Sequence, residues 1–161
     1  MFLERKFVVH SSIAVANRFL AKASEIGKPL TPMQLLKLVY LAHGWMLGLY
    51  GRPLISDDVE AWQYGPVIPK LYNAIRHFKN SPVVGPLKAS DSALDADEAD
   101  IVDQTFEIYG SKTGPALSRL THMPGGPWEM VYERGSFGTD IPNEIIEDHY
   151  RQLAARAEAR A

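Results

Sequence analysis

The chain has 161 residues, of which 46% are hydrophobic and 22% charged, and its formal net charge is −2. This is the composition of a folded globular protein rather than of a disordered segment, and the length suffices for one domain with its own hydrophobic core. Cysteine is absent, which excludes disulfide bonds, cysteine nucleophiles and cysteine-ligated zinc or iron–sulfur sites.

The charges are unevenly distributed along the chain. Residues 1–80 carry ten Lys or Arg against five Asp or Glu, whereas residues 81–161 carry seven against fourteen. Neither half has the density of basic residues that is typical of a nucleic-acid surface. The asymmetry indicates either two solvated faces or a charge-complementary surface for a protein partner.

The first predicted helix follows Ser11 and Ser12, either of which can cap its N-terminus, and it runs to about Gly27. Apolar residues at three- and four-residue spacing give this helix one buried stripe. The helix-breaking residues 27–29 separate it from a second helix, so we expect the two to form a hairpin of antiparallel helices.

The second predicted helix is the centre of the fold. Thr31 is a good N-cap, Gln34 completes a capping box with it, and Gly51 provides a left-handed stop. Nearly every position between these signals is apolar, which predicts a helix that is buried on most sides. Gly44 and Gly48 lie about one turn apart, and this spacing predicts the close approach of another helix.

The apolar length of this central helix raises the question of a membrane span. Lys37 and His43 interrupt it, so the sequence predicts no membrane association. The first twelve residues lack the layout of a secretory signal, and the absence of cysteine fits a reducing compartment. We therefore expect a cytoplasmic protein.

The segment after the central helix, residues 52–65, is expected to be a short extended or β-hairpin segment, because its side chains alternate in character from Val59 onward. Tyr64, Gly65 and Pro66 are expected to end it in a turn. A third helix is predicted over residues 68–78. The next stretch, up to Asp95, is rich in proline, glycine and serine and is predicted to be a loop.

The C-terminal half adds further predicted helices that begin near Asp95, Thr113, Pro127 and Ile145, with a loop over residues 135–140. The sequence thus predicts a mainly α fold, a compact bundle of about six or seven helices around a buried central helix. We expect a single domain over residues 1–161, with its core at about 12–150. The tail, residues 154–161, should fray because it has little to bury.

No arrangement typical of a catalytic or metal site occurs in the sequence. The five histidines show neither of the H-x-x-x-H and H-E-x-x-H spacings of helical metal sites, and there is no phosphate-binding loop or nucleophile elbow. We therefore predict no catalytic residue, no metal and no cofactor. A distant pairing of His43 or His122 with an acidic residue such as Asp58 stays open, and it would make the protein a hydrolase-type enzyme.

Four large aromatic residues stand out: Trp45, Trp62, Tyr64 and Trp128, the last three of which lie close to Gly65–Pro66 or Gly126–Pro127. Rings of this size either pack the corners of a core or act as hot spots of an interface. The sequence favours core packing for Trp45 and Trp128. For Trp62 and Tyr64 both interpretations stay open.

Three ordered segments carry a resemblance to a known family. They are LLKLVYLAHGWMLGLYGRPL at residues 35–54, VEAWQYGPVIPKLY at 59–72 and LSRLTHMPGGPWEMVY at 117–132. Together they resemble the Panacea antitoxin domain, whose members are also called SocA-like or GepA-like phage-associated proteins. The chain departs from the family pattern at Met46 and in the MPGG segment. The residues that match it include Lys37, Tyr40, His43, Trp45, Glu60, Trp62, Tyr64, Gly65, Pro66, Thr121, His122, Pro127 and Trp128.

The resemblance implies an antitoxin that neutralises a cognate protein toxin by direct binding and that, like SocA-like members, can present the toxin to a AAA+ protease. The matching residues are then candidates for the scaffold or for partner contacts, not for catalysis. We expect Tyr40, His43, Trp45 and Trp62 to brace residues 52–65 against the central helix. A DNA-binding regulator of its own operon is a further alternative, with promoter DNA as the partner.

Overall fold

The computed structural model describes residues 7–89 and 93–160. In this part the chain forms seven α-helices and one three-stranded antiparallel sheet, which confirms the predicted mainly α fold. A 3₁₀ turn, Arg76–Phe78, follows the third helix. The elements are α1 (Ser12–Glu25), α2 (Pro32–Tyr50), β1 (Glu60–Trp62), β2 (Gly65–Val67), α3 (Pro69–Ile75), α4 (Ala96–Tyr109), α5 (Gly114–Thr121), α6 (Pro127–Val131), β3 (Thr139–Asp140) and α7 (Asn143–Ala159).

Helix α2 is the element around which the others are arranged, since α1, α3, α4, α5 and α7 all contact it. The predicted capping box of Thr31 and Gln34 is present, and Gly51 ends the helix in the left-handed conformation. Even the two polar residues in its middle, Lys37 and His43, are buried. The prediction of a central helix that is covered on most sides is therefore confirmed.

The closest neighbour of α2 is α7, and the two predicted interface glycines lie between them. A Cβ atom at Gly48 would stand 2.6 Å from Cβ of Tyr150 and 2.9 Å from the backbone nitrogen of Arg151. A Cβ atom at Gly44 would overlap the ring of Tyr150. Gly48 thus lets the α7 backbone lie directly against α2, and Gly44 makes room for the Tyr150 ring, so the close approach of another helix that their spacing predicts is present.

The sheet has the strand order β2-β1-β3 and pairs Glu60 with both Val67 and Asp140. The hairpin therefore spans residues 60–67 rather than 52–65, and its turn is at residues 63–64. Gly65 and Pro66, expected in the turn, belong to β2, because two residues suffice to connect antiparallel strands. Strand β3 lies in a segment predicted to be a loop, so that prediction was wrong.

The long loop before Asp95 is less regular than the helical core. The predicted loop before Asp95 is irregular over its described residues, and residues 90–92 lie outside the described part. Residues 1–6, which belong to the N-terminal segment that lacks the layout of a secretory signal, also lie outside it. Helix α7 continues to Ala159, with its last residues exposed, and fraying of this end stays a prediction. None of the helices described has both the length and the apolar character needed to cross a membrane.

Candidate functional site

The three segments that carry the resemblance meet at the β1–β2 hairpin. Alternate carbonyl oxygens of the hairpin each accept a hydrogen bond from a side chain of a different helix, and we call this set of three bonds the hairpin clasp. The donors are Nζ of Lys37 on α2 to Pro66 (2.9 Å), Oγ of Ser118 on α5 to Tyr64 (3.2 Å) and Nε1 of Trp128 on α6 to Trp62 (2.6 Å).

Lys37 is the most deeply buried member of the clasp, with only 4% of its surface exposed. Burial lowers its pKa to about 8, because a charged ammonium is poorly solvated inside the protein. Its amine is directed at the carbonyl of Pro66 and is shielded from solvent. This arrangement holds the hairpin in place.

The buried Lys37 makes the stability of the protein depend on pH in the alkaline range. Its folded pKa of about 8 lies below the reference value of 10.5, so between these values the unfolded state binds more protons and stability rises with pH. We expect a gain of roughly 3 kcal/mol across this range, which Lys37→Met should lack. Urea denaturation of both proteins between pH 7.5 and pH 10 measures the difference, and parallel curves would contradict it. Tyrosines that also titrate in this range are present in both proteins, so their effect on stability cancels in the difference.

His122 completes the clasp by filling the space beside Gly65. The backbone of Gly65 has a φ of +117°, and a Cβ atom there would stand 2.9 Å from both Cε1 of His122 and Nζ of Lys37. Nδ1 of His122 donates to the carbonyl of Ser118 at 2.8 Å, and the imidazole meets the Trp128 ring at 4.3 Å. Only glycine lets both side chains approach the strand so closely.

Two other matching residues act within the clasping helices themselves. Thr121 is buried, and its hydroxyl donates to the carbonyls of Leu117 and Ser118 on its own helix. Pro127 is buried at the first turn of α6, where its missing N–H costs nothing. Both residues shape the helix ends that deliver the clasping side chains.

The hairpin also carries aromatic rings, of which some are half-buried and some exposed. The indole of Trp62 lies 5.1 Å from the ring of Tyr72 and 5.3 Å from the ring of Phe137, and its Nε1 donates to Glu60. Phe137 is 85% exposed. Tyr64, at the hairpin turn, is 72% exposed. For Trp62 and Tyr64 the sequence left open whether they pack a core or lie at an interface. In the structure Tyr64 lies at the surface, and Trp62 is half-buried.

His43 lies away from the clasp and joins α2 to two other segments. Its Nδ1 accepts from the backbone N–H groups of Leu54 and Ile55, at 3.3 and 3.4 Å, and its Nε2 lies 3.0 Å from Oδ1 of Asn143. Since Nδ1 accepts, the proton of the neutral ring is on Nε2 and is donated to Asn143. Burial lowers the pKa of His43 to about 4, so the ring is neutral at pH 7.

The expected brace of four residues needs correction. Of the four, His43 does hold residues 54–55 by hydrogen bonds, but Tyr40 and Trp45 pack edge-on against Tyr150 of α7. Trp45 also donates to the hydroxyl of Tyr109 on α4. Spacing along α2 determines which residues share a face, but it does not determine which element covers that face.

A partly buried network of polar side chains could not be predicted from the sequence. His10 Nε2 lies 3.0 Å from Glu98, and Arg52 pairs with Glu98 at 3.3 Å and with Asp95 at 2.9 Å. His10 and Glu98 are almost fully buried. The network ties the segment before α1 and the segment after α2 to the first turn of α4. His10 and Glu98 are 88 residues apart in the sequence, so no local spacing could have indicated their contact.

The hydrolase alternative required an acidic partner for His43 or His122. In the described part of the chain, His43 bonds to Asn143 and to the backbone of Leu54 and Ile55, and His122 bonds to Ser118. No cluster of three or more His, Asp or Glu side chains that could hold a metal ion occurs within residues 7–89 and 93–160. The histidines that the sequence singled out thus have packing partners suited to a scaffold.

Several residues of the site were not predicted. Ser118 lies four residues before His122, and that helical spacing is a local signal from which it could have been found. Asn143, Tyr109 and Tyr150 have no such signal, because each reaches its partner from another helix. The same is true of Phe137, which lies in a segment without a recognisable pattern.

Comparisons of the sequence with known proteins identify the family to which this chain is similar. The family described as Antitoxin SocA-like, Panacea domain, matches residues 35–129, which include all three donors of the hairpin clasp. Antitoxin SocA of Caulobacter vibrioides (strain NA1000 / CB15N) is 30% identical over 152 residues, covering 86% of this chain and 81% of that protein. No solved structure matches the chain. The chain belongs to the SocA-like antitoxin family with the Panacea domain.

Proposed function

We propose that this protein neutralises a cognate protein toxin by binding it directly. The observation that carries this proposal is the family match, which extends over the whole clasped hairpin and much of the helical bundle. The geometry supports a binding role, because the polar residues of the site are engaged with backbone atoms while large aromatic rings face solvent.

The test is coexpression with the product of the adjacent gene in a bacterial host. We expect that product to arrest growth when it is expressed alone, and this protein to restore growth and to copurify with it. A neighbour that is harmless alone, or rescue without a complex, would contradict direct neutralisation. The separate variants His43→Gln and His122→Gln should still rescue wherever they fold; loss of rescue with folding and toxin binding intact would favour catalysis instead.

Titrating the expression of this protein against the toxin separates binding from turnover. A protein that neutralises only by binding should restore growth once it equals the toxin in amount, whereas an enzyme should act well below that amount. Toxin abundance after translation is stopped should be unchanged if neutralisation occurs by binding alone.

Delivery of the bound toxin to a AAA+ protease is a further part of the proposal, and its support is the family resemblance. In that case the toxin should disappear faster when this protein is present, and deleting the protease should remove the difference. If the lifetime of the toxin is unchanged, delivery to a protease is rejected and neutralisation by binding alone is retained.

A further inference from the structure

Three aromatic rings and a guanidinium group are clustered around Trp62 of the hairpin, and one of the rings, Phe137, is largely exposed. Trp62 contacts Tyr72 and Phe137, with ring centroids 5.1 and 5.3 Å apart, and the guanidinium of Arg76 stands 6.0 Å from the Tyr72 ring. We call these four residues the aromatic surface. Phe137, at 85% exposure, is the most exposed large hydrophobic residue in the described part of the chain.

The composition of the aromatic surface is that of an interface centre. Tryptophan, tyrosine and arginine are the residues that most often contribute strongly to binding, because they bury large areas with few rotatable bonds. An exposed phenylalanine gains nothing from its position in the isolated protein. Its contact with Trp62, which is itself anchored through the clasp, holds it in place to be covered by a partner.

The charged residues of the segment that carries Trp62, Tyr72 and Arg76 are basic, although Glu60 lies directly beside Trp62. Residues 61–90 contain four basic residues and no Asp or Glu. In the part of the chain that the structure describes, Lys70 pairs with Asp57, but neither Arg76 nor Lys79 has a carboxylate within ion-pair distance. The nearby carboxylate of Glu60 accepts from Trp62. The aromatic surface is therefore bordered by available positive charge.

We propose that the aromatic surface is the docking site for the toxin, and that the toxin segment seated on it presents apolar side chains flanked by Asp or Glu. This inference rests on the proposed function. Opposite charges steer such a segment to the surface, while burial of the rings supplies affinity. A nucleic acid is a poorer fit, because binding to phosphates requires many cations and the chain as a whole carries a net charge of −2.

The test uses the full-length protein and the product of the adjacent gene, with affinity measured in solution at two salt concentrations. We expect Phe137→Ser and Arg76→Glu each to weaken toxin binding about tenfold or more, and Arg76→Glu to reduce its salt dependence. Matched controls are Ile108→Ser, an exposed apolar residue on α4, and Lys112→Glu, an exposed cation after it; both should bind like the wild type.

The outcomes separate this inference from the proposed function. If the wild-type protein does not bind the toxin, the proposed function fails. If the wild type binds while Phe137→Ser and Arg76→Glu bind equally well, the docking site lies elsewhere and only this inference is overturned. Binding of a single-stranded oligonucleotide that Arg76→Glu abolishes, with toxin binding unchanged, would assign the surface to nucleic acid and would also overturn it.

Discussion

Replacing Gly48 by alanine is expected to lower the free energy of unfolding by about 1–3 kcal/mol. Alanine favours a helix over glycine by roughly 1 kcal/mol, so intrinsic propensity alone would predict the opposite sign. The contact decides, because the new Cβ would meet Cβ and the carbonyl carbon of Tyr150 at 2.6 and 2.7 Å. Backbone of a packed helix cannot move aside as the end of a side chain can. Thermal and urea unfolding measure the effect.

Gly44 provides the matched control, because its neighbour is the Tyr150 ring rather than the α7 backbone. In a Tyr150→Leu background, Gly44→Ala should lose most of its destabilising effect, whereas Gly48→Ala should keep it. A double-mutant cycle isolates this difference. If Gly48→Ala stabilised the protein as helix propensity suggests, the close contact between α2 and α7 would be wrong.

The second large effect that we expect is a loss of stability at acidic pH through protonation of His43. The pKa of His43 is about 4 in the folded protein and 6.5 in the reference state, so between these values the unfolded state binds more protons. This contribution to stability is present in full above pH 6.5 and is lost as the pH falls to 4, a loss of roughly 3 kcal/mol. Protonation would place a charge on Nδ1, which accepts from the backbone of residues 54–55.

The measurement is the stability of the wild type and of His43→Gln between pH 4 and pH 7. The wild type should lose more stability than the variant, and the difference should lie between pH 6.5 and pH 4. His149, whose pKa burial also lowers, acts in the same direction but is common to both proteins and cancels. Identical pH profiles would show that His43 stays solvated enough to titrate normally.

Local signals in the sequence predicted the helices well, because caps and apolar spacing act within one element. Thr31 with Gln34, Gly51 and the pair of interface glycines all lie where they were predicted. Strand β3 was missed because two exposed residues form no alternating pattern; it pairs only because β1 is already in place.

The sequence indicated which residues belong to the candidate site, but it did not indicate which contacts they make. The resemblance indicated Lys37, His122 and Trp128, yet nothing in the sequence shows that two of them would donate to main-chain carbonyls of one hairpin. Carbonyl acceptors exist at every residue, so their partners cannot be read from side-chain identity. The buried pair of His10 and Glu98 was missed for the same physical reason, since its geometry comes from tertiary packing.

The clasp has an evolutionary consequence, because it holds the hairpin by carbonyl oxygens and not by side chains. A mutation at Tyr64 leaves its carbonyl available to Ser118, so the identity of the exposed residue can change while the backbone stays fixed. The fixed backbone should thus tolerate other side chains at the tip of the hairpin, although Tyr64 itself matches the family pattern. A laboratory library that randomises this position should yield folded proteins with altered partner preference, much as a fixed framework supports variable recognition loops.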